Sequence, residues 1–177
     1  MAVRGIRKKN NHSPVKYNVN SLVSFAKEKG LIENDKLDIN TLVNELGLNL
    51  KFQILPPDVS GKLQKFNGQW TIIVNKSHST NRQRYTIAHE LGHYCLHKDF
   101  HEQFEDTTFF RKEKDWTSIE YEANSFAADI LMPENAIESA INQGINTLSD
   151  LSIRFGVSLI AIKNRLLSLN YKLVSNE

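Results

Sequence analysis

One short run constrains this chain more than anything else in it: Ala88-His89-Glu90-Leu91-Gly92-His93, set inside residues 80–97, which read as a single long helix. On a helix, positions i and i+4 lie one above the other on the same face. His89 and His93 can therefore aim two imidazoles at one ion, while Glu90 leans toward the same cleft. This is the H-E-x-x-H arrangement, in which the glutamate acts as general base of a metallopeptidase. The same pattern also arises by chance on amphipathic helices, where two histidines merely sit on a wet face. Here the flanks argue for metal. Tyr85, Ile87, Ala88, Leu91, Tyr94, Cys95 and Leu96 are uncharged and mostly apolar, so the helix should pack into a core and hold its ligands rigidly.

A catalytic zinc needs a third protein ligand and one open position. His97 lies two turns, roughly 12 Å, along the axis from His89, so an unbroken helix cannot bring all three histidines to one ion. No glycine-containing turn follows His93 to redirect the chain toward a later histidine. The better source is residues 119–133, where Glu120 and Glu122 enter a helix that is otherwise small and apolar, with Ala123, Ala127 and Ala128 permitting close helix approach. The two glutamates stand about 200° apart on the wheel, so only one can face the metal. Glu122 is the preferred ligand. It shares a face with Phe126 and Asp129, and Asp129 is the candidate outer acceptor for a ligand imidazole's second N–H. Glu120 remains the alternative.

Around this pair of segments the periodicity predicts helices at 17–30, about 38–47, 117–132, 133–144, about 147–155 and 158–169. Strands are expected at 48–55, 61–66 and 69–74, with Asn67-Gly68 as the turn between the last two. The fold class is α+β, mostly helical, with a small three-stranded antiparallel sheet near the active-site helix. Residues 1–14 read as a basic flexible tail, 15–144 as the zincin-like domain, and 145–177 as helix-turn-helix-like helices packed on the core.

Composition narrows the partners. Twenty-two Lys and Arg against 20 Asp and Glu leave +2, too little to imply nucleic acid from charge alone. Of the tail's cations only Arg154, Lys163, Arg165 and Lys172 could reach DNA, so direct nucleic-acid binding is not the favoured role. No apolar run nears the roughly 18 residues of a membrane span, and the start lacks a signal-like apolar region. A single cysteine, Cys95, rules out an intrachain disulfide, so a cytoplasmic location is expected. Cys95 falls on roughly the opposite face from His93 and should be a buried, inert thiol.

The run Asn81-Arg82-Gln83-Arg84-Tyr85-Thr86-Ile87-Ala88-His89-Glu90-Leu91-Gly92-His93-Tyr94, followed by Leu96-His97, resembles the core of the ImmA/IrrE family of metallopeptidases. Glu122-Ala123-Asn124, Phe126-Ala127-Ala128 and Leu131-Met132-Pro133 are similar to that family's second signature, and Trp70-Thr71-Ile72 with Val74-Asn75 to its preceding strand. The resemblance spans about residues 40–170. It implies a gluzincin-like fold with Zn²⁺ on His89, His93 and Glu122, Glu90 as base, and cleavage of a helix-turn-helix repressor that controls mobile-element or stress-response genes. Members can carry further C-terminal domains, and with the chain running to Glu177 any sensor module is expected to be absent or elsewhere. The competing expectation is a non-catalytic DNA- or protein-binding regulator, such as a toxin–antitoxin component, on a metallopeptidase-like scaffold.

Overall fold

The computed structural model describes residues 18–100, 103–107 and 118–173. In chain order the elements are α1 (Val19–Glu28), β1 (Ile32–Glu33), β2 (Lys36–Leu37), α2 (Ile39–Glu45), β3 (Asn49–Gln53), β4 (Val59–Phe66), β5 (Gln69–Asn75) and α3 (Thr80–His97). There follow β6 (Gln103–Thr107), α4 (Ser118–Leu131), α5 (Glu134–Asn142), α6 (Leu148–Phe155) and α7 (Leu159–Ser168). The α+β class holds, and the helices start where local chemistry says they should. Asn18, Asp38, Thr147 and Ser158 each offer a side-chain oxygen to a backbone N–H three residues on, which satisfies donors that an uncapped helix leaves exposed.

The sheet differs from the expected three antiparallel strands. It has four, in the order β3-β5-β4-β6, and β3 runs parallel to β5; a separate two-stranded hairpin joins β1 to β2. The Asn67-Gly68 turn does link β4 to β5, with both residues at positive φ. Burial explains the order. Ile72, Ile73 and Val74 are all buried, and a strand covered on both faces belongs in the middle of a sheet. That leaves β3 and β6 on the outside. Strand β6, Gln-Phe-Glu-Asp-Thr, has no apolar alternation to announce it; Phe104 is its buried side chain. A register shift between Val59 and Gly61 marks a bulge where β4 meets β6.

Helix α3 is the centre of the molecule. Strands β4 and β5 cover one side, α4 packs along another, and α2 closes a third. Residues 86–93 of α3 are all buried. Asn75, fully buried at the end of β5, closes the loop before β4. Its Nδ2 donates to the carbonyls of Leu55, Pro56 and Val59 at 3.2, 3.1 and 2.9 Å, and its Oδ1 accepts from Ser77 N at 3.1 Å.

The last two helices join the same core through Leu151, Phe155, Val157, Ile162 and Leu166. Polar ties reinforce this: Arg84 Nε donates to Gly156 O at 3.0 Å, and Asn81 Nδ2 to Val157 O at 3.0 Å. Arg154 pairs with Asp35 at 2.8 Å and Arg165 with Asp129 at 2.7 Å, so two of the tail's cations are engaged within the chain. No helix among the described residues is long and apolar enough to cross a membrane. The expected basic tail at 1–14 lies outside the described residues.

Candidate metal centre and active site

Helix α3 supplies two donors and α4 the third. The Nε2 atoms of His89 and His93 lie 3.0 Å apart. Glu120 straddles them, with Oε2 3.4 Å from His89 Nε2 and Oε1 3.4 Å from His93 Nε2. Both imidazoles are almost fully buried, and the Glu120 side chain is 18% exposed. Metal–ligand bonds of about 2.0–2.2 Å around a tetrahedral ion separate neighbouring donor atoms by roughly 3.3–3.5 Å. The two imidazole–carboxylate separations fall in that range, each through a different Glu120 oxygen, and the 3.0 Å between the imidazole nitrogens is somewhat shorter.

The protonation chemistry also fits a cation. His89 Nδ1–H donates to Asn124 Oδ1 at 3.1 Å, which leaves the Nε2 lone pair facing the cluster. Burial pushes His93 below the ordinary histidine range, outweighing the opposing pull of Glu120. Burial would raise Glu120, but hydrogen bonds and charge from His89 and His93 overcome it and hold the carboxyl well below the usual carboxylate range. An ionised carboxylate, a His93 imidazole that resists protonation and the Nε2 lone pair of His89 thus converge on one point. Such a set calls for a metal ion.

Close helix approach makes the triangle possible. A Cβ built on Gly92 would lie 3.1 Å from Ala123 O, 3.2 Å from Ala123 Cα and 3.2 Å from Phe126 Cβ. Glu90 is fully buried on the same helix, beneath β4; a Cβ at Gly61 would collide with Thr86 Cγ2 and stand 3.4 Å from Glu90 Oε1. From β6, the Phe104 ring stacks on His93 with centroids 4.4 Å apart and planes 16° apart.

Several expected roles are placed differently. Glu122 does not reach the two ligand imidazoles; it contacts His97, with Oε2 3.2 Å from Nε2, and Glu120 occupies the third corner instead. The reason lies in which stripe of α4 faces α3. Ala123 and Ala127 are fully buried, and Glu120 stands three and seven residues before them, on their stripe. Phe126 also reaches α3, against Gly92, whereas Asp129 does not. Asp129 pairs with Arg165 and tethers α7, so Asn124, four residues after Glu120, takes the supporting role expected of it. His97 is buried but turns its Nδ1 to the Nδ1 of His93, on the far side of that ring from the ligand atom. Among side chains that could stabilise an oxyanion, Arg84 is committed to α6 and Tyr121 is 65% exposed. His101 lies outside the described residues. Strand β5, Gln69–Asn75, is paired on both sides and offers no free edge to an extended substrate.

A buried His-Glu pair on one helix turn, completed by a carboxylate from a second helix, defines the class of metallopeptidase-type scaffolds. The chain belongs to the ImmA/IrrE family: the model of the IrrE N-terminal-like domain matches residues 43–167. It is 28% identical over 116 residues to the immunity region protein 2 of Bacillus phage phi105, covering 65% of this chain and 67% of that one. To the metallopeptidase ImmA of Bacillus subtilis (strain 168) it is 32% identical over 96 residues, which are 51% of this chain and 54% of that one. A Mycobacterium tuberculosis transcriptional regulator of known structure shares the fold, with a TM-score of 0.60 at 17% identity. That match covers 84% of this chain and 45% of the regulator.

Proposed function

We propose that the chain is a zinc-dependent endopeptidase with His89, His93 and Glu120 as metal ligands and Glu90 as general base. The observation that carries this reading is the convergence of His89 Nε2, His93 Nε2 and the two Glu120 carboxylate oxygens, at 3.0, 3.4 and 3.4 Å, with a fully buried glutamate on the adjoining helix position. A bound zinc supplies Lewis acidity, polarising the scissile carbonyl and lowering the pKa of water toward about 7. Glu90 accepts the proton of the attacking water and delivers it to the leaving amide nitrogen. The apolar wall of α3 and the overlying β4 keep bulk water from that carboxylate. An extended peptide pairing with the outer edge of β6 would pass beside Phe104 and so beside His93. The substrate we assign is a helix-turn-helix repressor, a choice that rests on the family resemblance.

Native mass spectrometry tests the ligand set. The parent should carry one zinc per chain, His93→Ala and Glu120→Ala none, and Glu122→Gln one. Glu90→Gln should keep the metal and lose cleavage of a helix-turn-helix repressor from the same genetic neighbourhood. A parent that takes up no zinc at saturating metal, or a Glu90→Gln variant that cleaves at the parent rate, overturns the reading.

A further inference from the structure

Behind the candidate ligands runs a second line of polar contacts that the reaction itself does not use. The Nδ1 of His93 lies 3.1 Å from the Nδ1 of His97, and the Nε2 of His97 lies 3.2 Å from Glu122 Oε2. Both imidazoles are buried, at 1% and 5% side-chain exposure, whereas the Glu122 side chain is 54% exposed. Three groups in series, each touching the next through one atom, admit few proton arrangements.

Consider the line from its outer end. An ionised carboxylate only accepts, so Glu122 requires a proton on His97 Nε2. A neutral imidazole carries one N–H, which leaves His97 Nδ1 as an acceptor. Facing it, His93 Nδ1 must then be the donor, and the remaining lone pair of His93 is on Nε2, the atom that faces His89 and Glu120. The opposite order would set the His97 Nε2 lone pair against a carboxylate. We infer that His97 and Glu122 are positioning residues: together they fix His93 in the Nδ1–H tautomer and so present its Nε2 lone pair to the metal before any metal arrives.

This rests on the metallopeptidase reading for its purpose, though not for its geometry. It gives each ligand imidazole a holder: Asn124 for His89, and the His97–Glu122 pair for His93. Both holders depend on α4, the helix that also carries Glu120. Outer partners of this kind typically contribute about 10–100-fold to metal affinity.

The test exploits the exposure of Glu122, where a substitution leaves the core intact. In Glu122→Gln the amide oxygen still accepts from His97 Nε2–H. In Glu122→Lys only a donor faces that atom, so His97 should move its proton to Nδ1 and oppose His93. Zinc dissociation constants from competition with a chromophoric chelator should be near the parent value for Glu122→Gln and about 10–100-fold weaker for Glu122→Lys. His97→Gln, which keeps an acceptor, should bind better than His97→Phe, which keeps only volume. Long-range ¹H–¹⁵N correlation spectra of the metal-free protein supply an independent readout. They should show His93 protonated at Nδ1 and His97 at Nε2 in the parent, with His97 reversed in Glu122→Lys. If Glu122→Lys binds zinc like the parent and the tautomers do not change, the inference falls. If instead the parent binds no zinc, the peptidase reading falls, and the tautomer spectra still decide this one.

Discussion

Replacing Gly92 by alanine sets two effects of known size against each other. Alanine in place of glycine within a helix is favourable by about 1 kcal/mol. Against this, a methyl group at position 92 meets Ala123 O at 3.1 Å and Ala123 Cα at 3.2 Å, with Phe126 Cβ also at 3.2 Å. Ordinary carbon contacts sit near 3.5–4.0 Å, and two of the three neighbours are backbone, so α4 itself must withdraw by a few tenths of an ångström. Overpacking of that kind costs about 1–3 kcal/mol. The contact should win, for a net loss of about 1 kcal/mol and a fall in Tm of about 2–4 °C at this chain size. Because α4 carries Glu120, zinc affinity should fall as well. Ile137→Val, a truncation at a fully buried site on α5 that costs about 0.5–1.5 kcal/mol, should lower Tm similarly while leaving affinity unchanged. Thermal melts of the metal-free forms and chelator competition measure both quantities. A higher Tm for Gly92→Ala with unaltered zinc affinity would show that α3 and α4 are not held this close, and the ligand triangle would lose its structural basis.

Asn75→Asp keeps shape and removes the donor that three carbonyls share. It should destabilise the fold by about 3 kcal/mol or more in urea unfolding, since one oxygen keeps the Ser77 N–H while the other faces three carbonyl acceptors in a buried site; a loss under about 1 kcal/mol would contradict the role given to this loop clamp. Cys95 is buried and its thiol is pushed up to about 12 by desolvation, with Lys98 opposing weakly. A disulfide reagent at pH 8 should therefore leave the native protein unmodified and label it fully in denaturant. Fast labelling of the folded form would refute that burial.

Helix α3 was legible in the sequence because its chemistry and its periodicity agree: the histidines share a face, and the uncharged flanks announce a buried element. The helix boundaries followed for the same reason. The third corner was harder. Helical spacing separates Glu120 from Glu122 cleanly, but choosing between them requires knowing which side of α4 meets α3. The usable signal was the alanine stripe, since only small residues permit the approach seen at Gly92, and Glu120 continues that stripe while Glu122 does not. Asn124 becomes readable once Glu120 is chosen, being one turn further along. Distance along the axis separates His97 from His89, yet its contact with His93 from behind depends on side-chain rotamers that spacing does not specify. The sheet failed for a different reason. Strand β6 has Phe104 and little else to mark it, and the parallel pairing of β3 with β5 is decided by which strand the core covers twice.

The donors are divided between two helices that the chain visits at different times, and that division has a mechanical meaning. An ion held by His89, His93 and Glu120 acts as a clasp, closing the chain between α3 and α4 much as a cross-link closes a loop. Metal occupancy and the grip of one helix on the other then become a single equilibrium. Taking the ion away would do more than silence a reaction: it would loosen α4, with the α7 tether that Asp129 anchors there, and the state of the metal would be felt at the far end of the fold.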